Sequence, residues 1–274
     1  MKDLLSFLDG VPERYKRGRW SKLAHLGVLS IALWIGVYYR EAQRSFNEDV
    51  LPEISGVSSR DGPSATLQLV RVFVGSYFFL FISFCIYMIG PWPLVSYTIS
   101  SWNVLTMRYL AAYFATLTAD PTIALLARTL KFPALVMNTI TVTVWWGVLV
   151  PLIYFLLKSK AEKEGFMKFN FSVFLLHIHG LNLPVAIYEF LASSSHESLH
   201  FYDLYCSICM SFVYMLWYLN ILDPAGIQIY IVFTPRTRWS LLTYVTVFTI
   251  HLGLYHGALQ VTELYKAPAI SMMM

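Results

Sequence analysis

The chain has 274 residues, 57% of them hydrophobic and only 13% charged, with a mean hydropathy of +0.57. A water-soluble domain carries about 25% charged residues, so this chain cannot cover itself with polar surface, and a soluble fold is excluded. The formal charge of +4 comes with no nucleic-acid motif and reads as membrane topology, not as a nucleic-acid footprint.

Residues 1–22, "MKDLLSFLDGVPERYKRGRWSK", hold no short apolar core followed by a small-residue cleavage site, so they do not read as a removable leader. "LLSFL" ahead of the basic run suits a short interfacial helix or a solvated lead-in. Seven mainly apolar runs follow, roughly 20–40, 68–91, 101–119, 132–157, 170–193, 202–222 and 239–262. About 20 such residues cross a hydrocarbon core. Lipid offers unpaired backbone groups no partner, so every run is predicted helical. The expected fold is an all-α, polytopic membrane helix bundle of about seven transmembrane helices. The polar linker 41–67, with "SGVSSRDGPS" inside it, sets off residues 1–60, a basic N-terminus with an extra first span, from a six-span membrane domain over 61–274.

Seven spans place the N-terminus and loops 91–100, 158–169 and 222–238 on one side. Twelve of the 20 basic residues fall there, among them Lys158, Lys160, Lys163 and Lys168. The positive-inside rule makes that side cytoplasmic or matrix-facing. Cys85, Cys206 and Cys209 lie in spans, so a disulfide framework is not expected, and "CSIC" reads as small packing residues.

Titratable groups at membrane depth mark candidate sites. "HIHGLNLPVAIYE" carries His177, His179 and Glu189. Two positions on a helix point about 200° apart, so the two histidines do not share a metal ion easily, and Glu189 lies about 15 Å beyond His179. "HESLH" at 196–200 matches the zincin pattern H-E-x-x-H, with Asp223 as a conceivable third ligand. It sits at a loop-to-span boundary, where polar residues occur anyway, and no metal or other cofactor is expected. Arg108 lies within the span 101–119 and needs a partner, a cavity or an interface. His251 and His256, five apart and about 140° offset, read as packing or interfacial residues, or one of them as lining the same cavity as His179.

These residues resemble the androgen-induced-gene family, which includes the androgen-dependent tissue-factor-pathway-inhibitor-regulating protein. His179, Pro184 and Glu189 keep that family's spacing of His, Pro and Glu. "TLKFP" with Trp145 and Trp146, "GIQIYIVF" at 226–233, and Trp102 followed four residues later by Thr106 are similar to further family segments. The resemblance covers about 68–262. It implies a multi-pass hydrolase of fatty-acid esters of hydroxy fatty acids, with Thr106 as nucleophile, His179 as base, and Arg108, Glu189 and His177 in support. The endoplasmic reticulum or plasma membrane is the implied site. The chain departs from the family in lacking its first His and Asn at 175–176 and its Asn at Tyr109, and Thr98 and Ser100 compete for the nucleophile position. The departures leave an alternative: a non-catalytic accessory subunit of a large assembly, such as a mitochondrial inner-membrane respiratory-chain or ATP-synthase complex, that keeps the hydrolase-like fold. Either way the expected partners are membrane lipids and possible neighbouring membrane subunits.

Overall fold

The computed structural model describes residues 18–55, 63–194, 197–226, 230, 233–237 and 239–271. Every described element is helical. We number them α1 (Lys22–Ile54), α2 (Ala65–Ile89), α3 (Tyr97–Thr118), α4 (Pro121–Leu156), α5 (Lys160–Asn170), α6 (Val173–Ser193), α7 (Phe201–Leu222) and α8 (Trp239–Ser271).

The starts are written locally. Ser21, Ser64, Ser96, Ser159 and Ser172 each accept a backbone N–H in the first turn of α1, α2, α3, α5 and α6, which supplies an orphan donor at each N-terminus with a partner. Asp120 does the same for α4, with Pro121 at its first position. Ser159 and Glu162 form a reciprocal capping box on α5.

Prolines set the irregularities. Wide π-turns occupy Phe46–Val50, Trp145–Leu149, His177–Leu181 and Tyr218–Leu222. Pro52, Pro151, Pro184 and Pro224 follow them, and the residue four before each proline lies inside the wide turn. Proline has no N–H for that carbonyl and its ring crowds it, so the helix widens there. Pro133 lies within a regular stretch of α4, with no wide turn before it.

Among the described residues, five helices are long and apolar enough to cross a membrane: α1, α2, α4, α6 and α7. The chain is thus an all-helical membrane protein, with a smaller count of clear crossings than the seven expected. The expected spans 101–119 and 239–262 fall on α3 and α8, which form as helices but interrupt their apolar character. Arg108 and a series of Ser and Thr lie on α3, and His251 and His256 on α8. The expected start at 132 is also corrected, because α4 begins eleven residues earlier, at Pro121. Arg128 and Lys131 break the hydropathy there, yet both are buried.

The core is organised around α4. One cluster packs Phe78 of α2 and Trp102 and Leu105 of α3 against Met137. Another packs Phe132 and Val136 against Ile208 of α7 and Tyr255 of α8. α2 and α3 approach closely at Gly75, where a Cβ would lie 2.7 Å from Leu110 Cδ2. α1, read from sequence as an addition, packs into the bundle: Trp34 meets Tyr205 and Phe248, with ring centroids 6.2 and 5.5 Å away.

Candidate functional site

The bulge ahead of Pro184 sends the two histidines to different neighbours. His177 Nε2 lies 2.9 Å from the Tyr77 hydroxyl on α2. His179 lies flat on Trp145, centroids 3.8 Å apart and planes 1° apart. Its backbone carbonyl accepts from Trp146 Nε1 at 2.8 Å, while its buried Nδ1 has no hydrogen-bond partner. On α3, the Trp102 indole donates to the Ile178 carbonyl at 3.0 Å, one residue before His179. One turn on, Thr106 Oγ1 donates to Trp102 O at 2.8 Å. The fold therefore brings together the two segments the resemblance singled out, but no hydrogen bond joins Thr106 to His179. Thr98, the competing threonine, sits 3.5 Å from the Tyr230 hydroxyl.

Glu189 is held in an ionic network. It accepts from Arg71 Nη2 at 2.9 Å and Arg108 Nε at 3.1 Å, and Ser193 Oγ donates to it at 2.9 Å. Arg108 also donates to Ala127 O at 2.7 Å and Glu197 at 3.1 Å. Lys131 Nζ donates to Glu197 O at 2.8 Å. Arg128 grips both carboxylate oxygens of Asp203, with Glu53 at 3.5 Å. Four cations thus meet four anions (Glu53, Glu189, Glu197 and Asp203) where α1, α3 and α6 end and α2, α4 and α7 begin. Matched numbers matter here, because an unpaired buried charge costs several kcal/mol. Sequence reasoning found Arg108 and Glu189 but missed Arg71, Arg128, Lys131, Glu53 and Asp203. Each is a lone charge within or beside an apolar run, and such charges demand partners.

Residues 197–200 of "HESLH" precede α7 outside any helix, and His196 lies outside the described residues. Glu197 is held by Arg108 and Lys131, His200 Nε2 faces Glu53 at 3.6 Å, and Asp223 pairs with Arg236. Among the described residues no three metal-ligating side chains converge.

Burial pushes the Glu197 carboxyl up, but Arg108 and Lys131 outweigh it and hold it down at about 2. Its folded value lies below its unfolded one, so the stabilisation is complete at neutral pH and is lost as pH falls from about 4.5 toward about 2. Glu197→Gln should melt lower than wild type at pH 7, and the gap should close on acidification. A gap that stays constant down to pH 3 would show that the carboxylate charge is not what stabilises this corner.

A narrow apolar cavity of about 50 Å³ lies between α7, α8, α4 and the start of α3. Ile140, Ile208, Leu219 and Phe248 form its walls, and Tyr97, Ser211 and His251 are among the few polar groups reaching it. It shares Ile31, Tyr244 and Phe248 with a groove between α1 and α8. It shares Tyr97, Ile140, Tyr230 and Phe233 with a smaller space walled by Thr98, Thr141 and Trp145. Trp145 is the ring on which His179 stacks. The three spaces therefore neighbour one another, from the α1–α8 seam to Trp145. No family model, no curated protein and no solved structure matches this chain.

Proposed function

We propose that this chain is a hydrolase-like membrane bundle that draws the acyl chain of a membrane lipid sideways into its interior. The observation carrying this reading is the shared lining of groove and cavity, which sets the α1–α8 seam beside a narrow apolar chamber holding a few polar groups. Such chambers suit ligands that are mostly apolar with one functional end. The resemblance to lipid-ester hydrolases agrees with it.

Seven crossings fit this reading. Contacts from α3 to α6 rise together along both chains (Trp102 to Ile178, Tyr109 to Val185, Arg108 to Glu189), so α3 runs parallel to α6 and beside it. The eight basic residues outside the N-terminal side include Arg71, Arg108, Arg128 and Lys131, all neutralised in pairs, which sharpens the charge asymmetry. Cysteines replacing Arg14 and Lys163 should be labelled from the same side, and labelling from opposite sides would overturn this topology.

The test of lipid uptake is a photoreactive fatty-acyl phospholipid in vesicles holding the purified chain. Crosslinks should map to cavity residues, and Leu219→Trp, which fills the cavity, should reduce them about tenfold while costing about 1–3 kcal/mol of stability. Crosslinks confined to the outer faces of α1 and α2 would refute lipid uptake.

A second reading, an accessory subunit, is favoured by the outer face of α2. Leu69, Phe73, Tyr77, Leu80, Phe84 and Tyr87 are all exposed and form one stripe at spacings of three and four. A stripe of this kind accepts another helix as readily as lipid. Native mass measurement separates the cases: a fixed larger complex favours the subunit, and a lone 31.5 kDa chain with bound lipid favours the bundle acting alone.

A further inference from the structure

The cavity contains a pair of side chains that no sequence motif joined. Ser211 of α7 and His251 of α8 both line it, with Ser211 Oγ 3.0 Å from His251 Nε2. The other ring nitrogen, Nδ1, lies 2.8 Å from the Val247 carbonyl, one turn back on α8. A carbonyl only accepts, so Nδ1 carries the proton and Nε2 offers its lone pair to the serine hydroxyl. Nucleophile, base and orienting group thus stand in the order that activates a hydroxyl. Packing fixes the arrangement, since His251 is 1% exposed. The buried Tyr97 hydroxyl faces Ser211 and lines the same cavity, so a donor stands beside the serine.

We infer that Ser211 and His251 form a nucleophile–base pair acting on the ester of an acyl lipid whose chain lies in the cavity. This rests on the proposed uptake of an acyl chain, and it moves the chemistry away from Thr106 and His179. Ser211 Oγ attacks the ester carbonyl carbon as its proton passes to His251 Nε2, and the Tyr97 hydroxyl donates to the carbonyl oxygen as charge builds there. The carbon–oxygen bond to the alcohol breaks, His251 returns the proton to the departing alkoxide, and an acyl-serine remains. Water then attacks the acyl-serine, giving its proton to His251. The serine oxygen leaves and takes that proton back, releasing the free fatty acid.

The test is an alkyl fluorophosphonate applied to the full chain in lipid nanodiscs, with the adduct located by peptide mass mapping. Wild type should carry the adduct on Ser211, and Ser211→Ala should carry none. His251→Gln should label at least about a hundredfold more slowly, the scale of general-base assistance. Thr106→Ala and His179→Ala should label like wild type. Tyr97→Phe should leave the adduct site unchanged and slow the labelling about tenfold. Melting curves identify any variant that fails to fold, and Ser211→Cys, labelled by an alkyl iodoacetamide, then reports the pair in its place. An adduct on Thr106, or none on a folded wild type, overturns the pair. If the photoreactive lipid still crosslinks inside the cavity, the uptake reading stands without it. If neither reagent reaches the cavity, both readings fail.

Discussion

Arg108→Met should be among the most destabilising single changes in the chain. The guanidinium is fully buried and bridges Glu189, Glu197, Ser193 and the Ala127 carbonyl, tying α3 to α4, α6 and the segment before α7. Removing one partner from a buried ionic network leaves charge uncompensated and costs about 3–5 kcal/mol. Arg71 still holds Glu189 and Lys131 still faces Glu197, so we expect the lower part of that range. Adding Glu197→Gln to Arg108→Met should recover part of the loss, because it deletes the orphaned charge. Thermal melting of the single and double variants checks this. Strict additivity would show that the two groups do not form one network.

Asp203→Leu should cost as much or more, through two separate losses. The carboxylate is buried and held by Arg128, and its Oδ2 also accepts from the His200 backbone N–H at 2.7 Å, closing the start of α7. The stranded Arg128 guanidinium accounts for about 3–5 kcal/mol, and the lost cap adds about 1 kcal/mol. Glu53 stays near Arg128 and accepts from Ser198 N at 2.8 Å, so α1 should remain docked while the first turn of α7 frays. Hydrogen exchange should quicken at residues 200–206 before it quickens in α4. Uniform acceleration throughout the bundle would instead mean that the cap contributes nothing of its own.

Which parts of this were legible in the chain follows from the range of the forces involved. The helix starts were legible as serine and aspartate caps, because capping acts within three residues. The wide turns are legible as prolines, each acting on the carbonyl four residues back. The membrane class was legible in composition, because the lipid requirement applies to every residue alike. Hydropathy reads least well where charges are buried in pairs. It began α4 eleven residues late and described α3 only as an apolar run with one anomalous arginine.

The sequence by itself determined that this is an all-helical membrane protein, that His177 and His179 sit apart on their helix, and that Arg108 needed a partner, a cavity or an interface. Tertiary structure alone decided which partner. Glu189 is 81 positions from Arg108 and Asp203 is 75 from Arg128, separations over which spacing carries no information. It also left the Thr106 hydroxyl bonded to its own helix and the imidazole of His179 stacked on a tryptophan face. Ser211 and His251 looked like isolated polar residues on two apolar helices, and became a bonded pair only when α7 packed on α8. Local rules fix the elements because their energies are set within a turn or two. Sites built from lone residues on different helices are fixed by packing, which no single stretch of chain records.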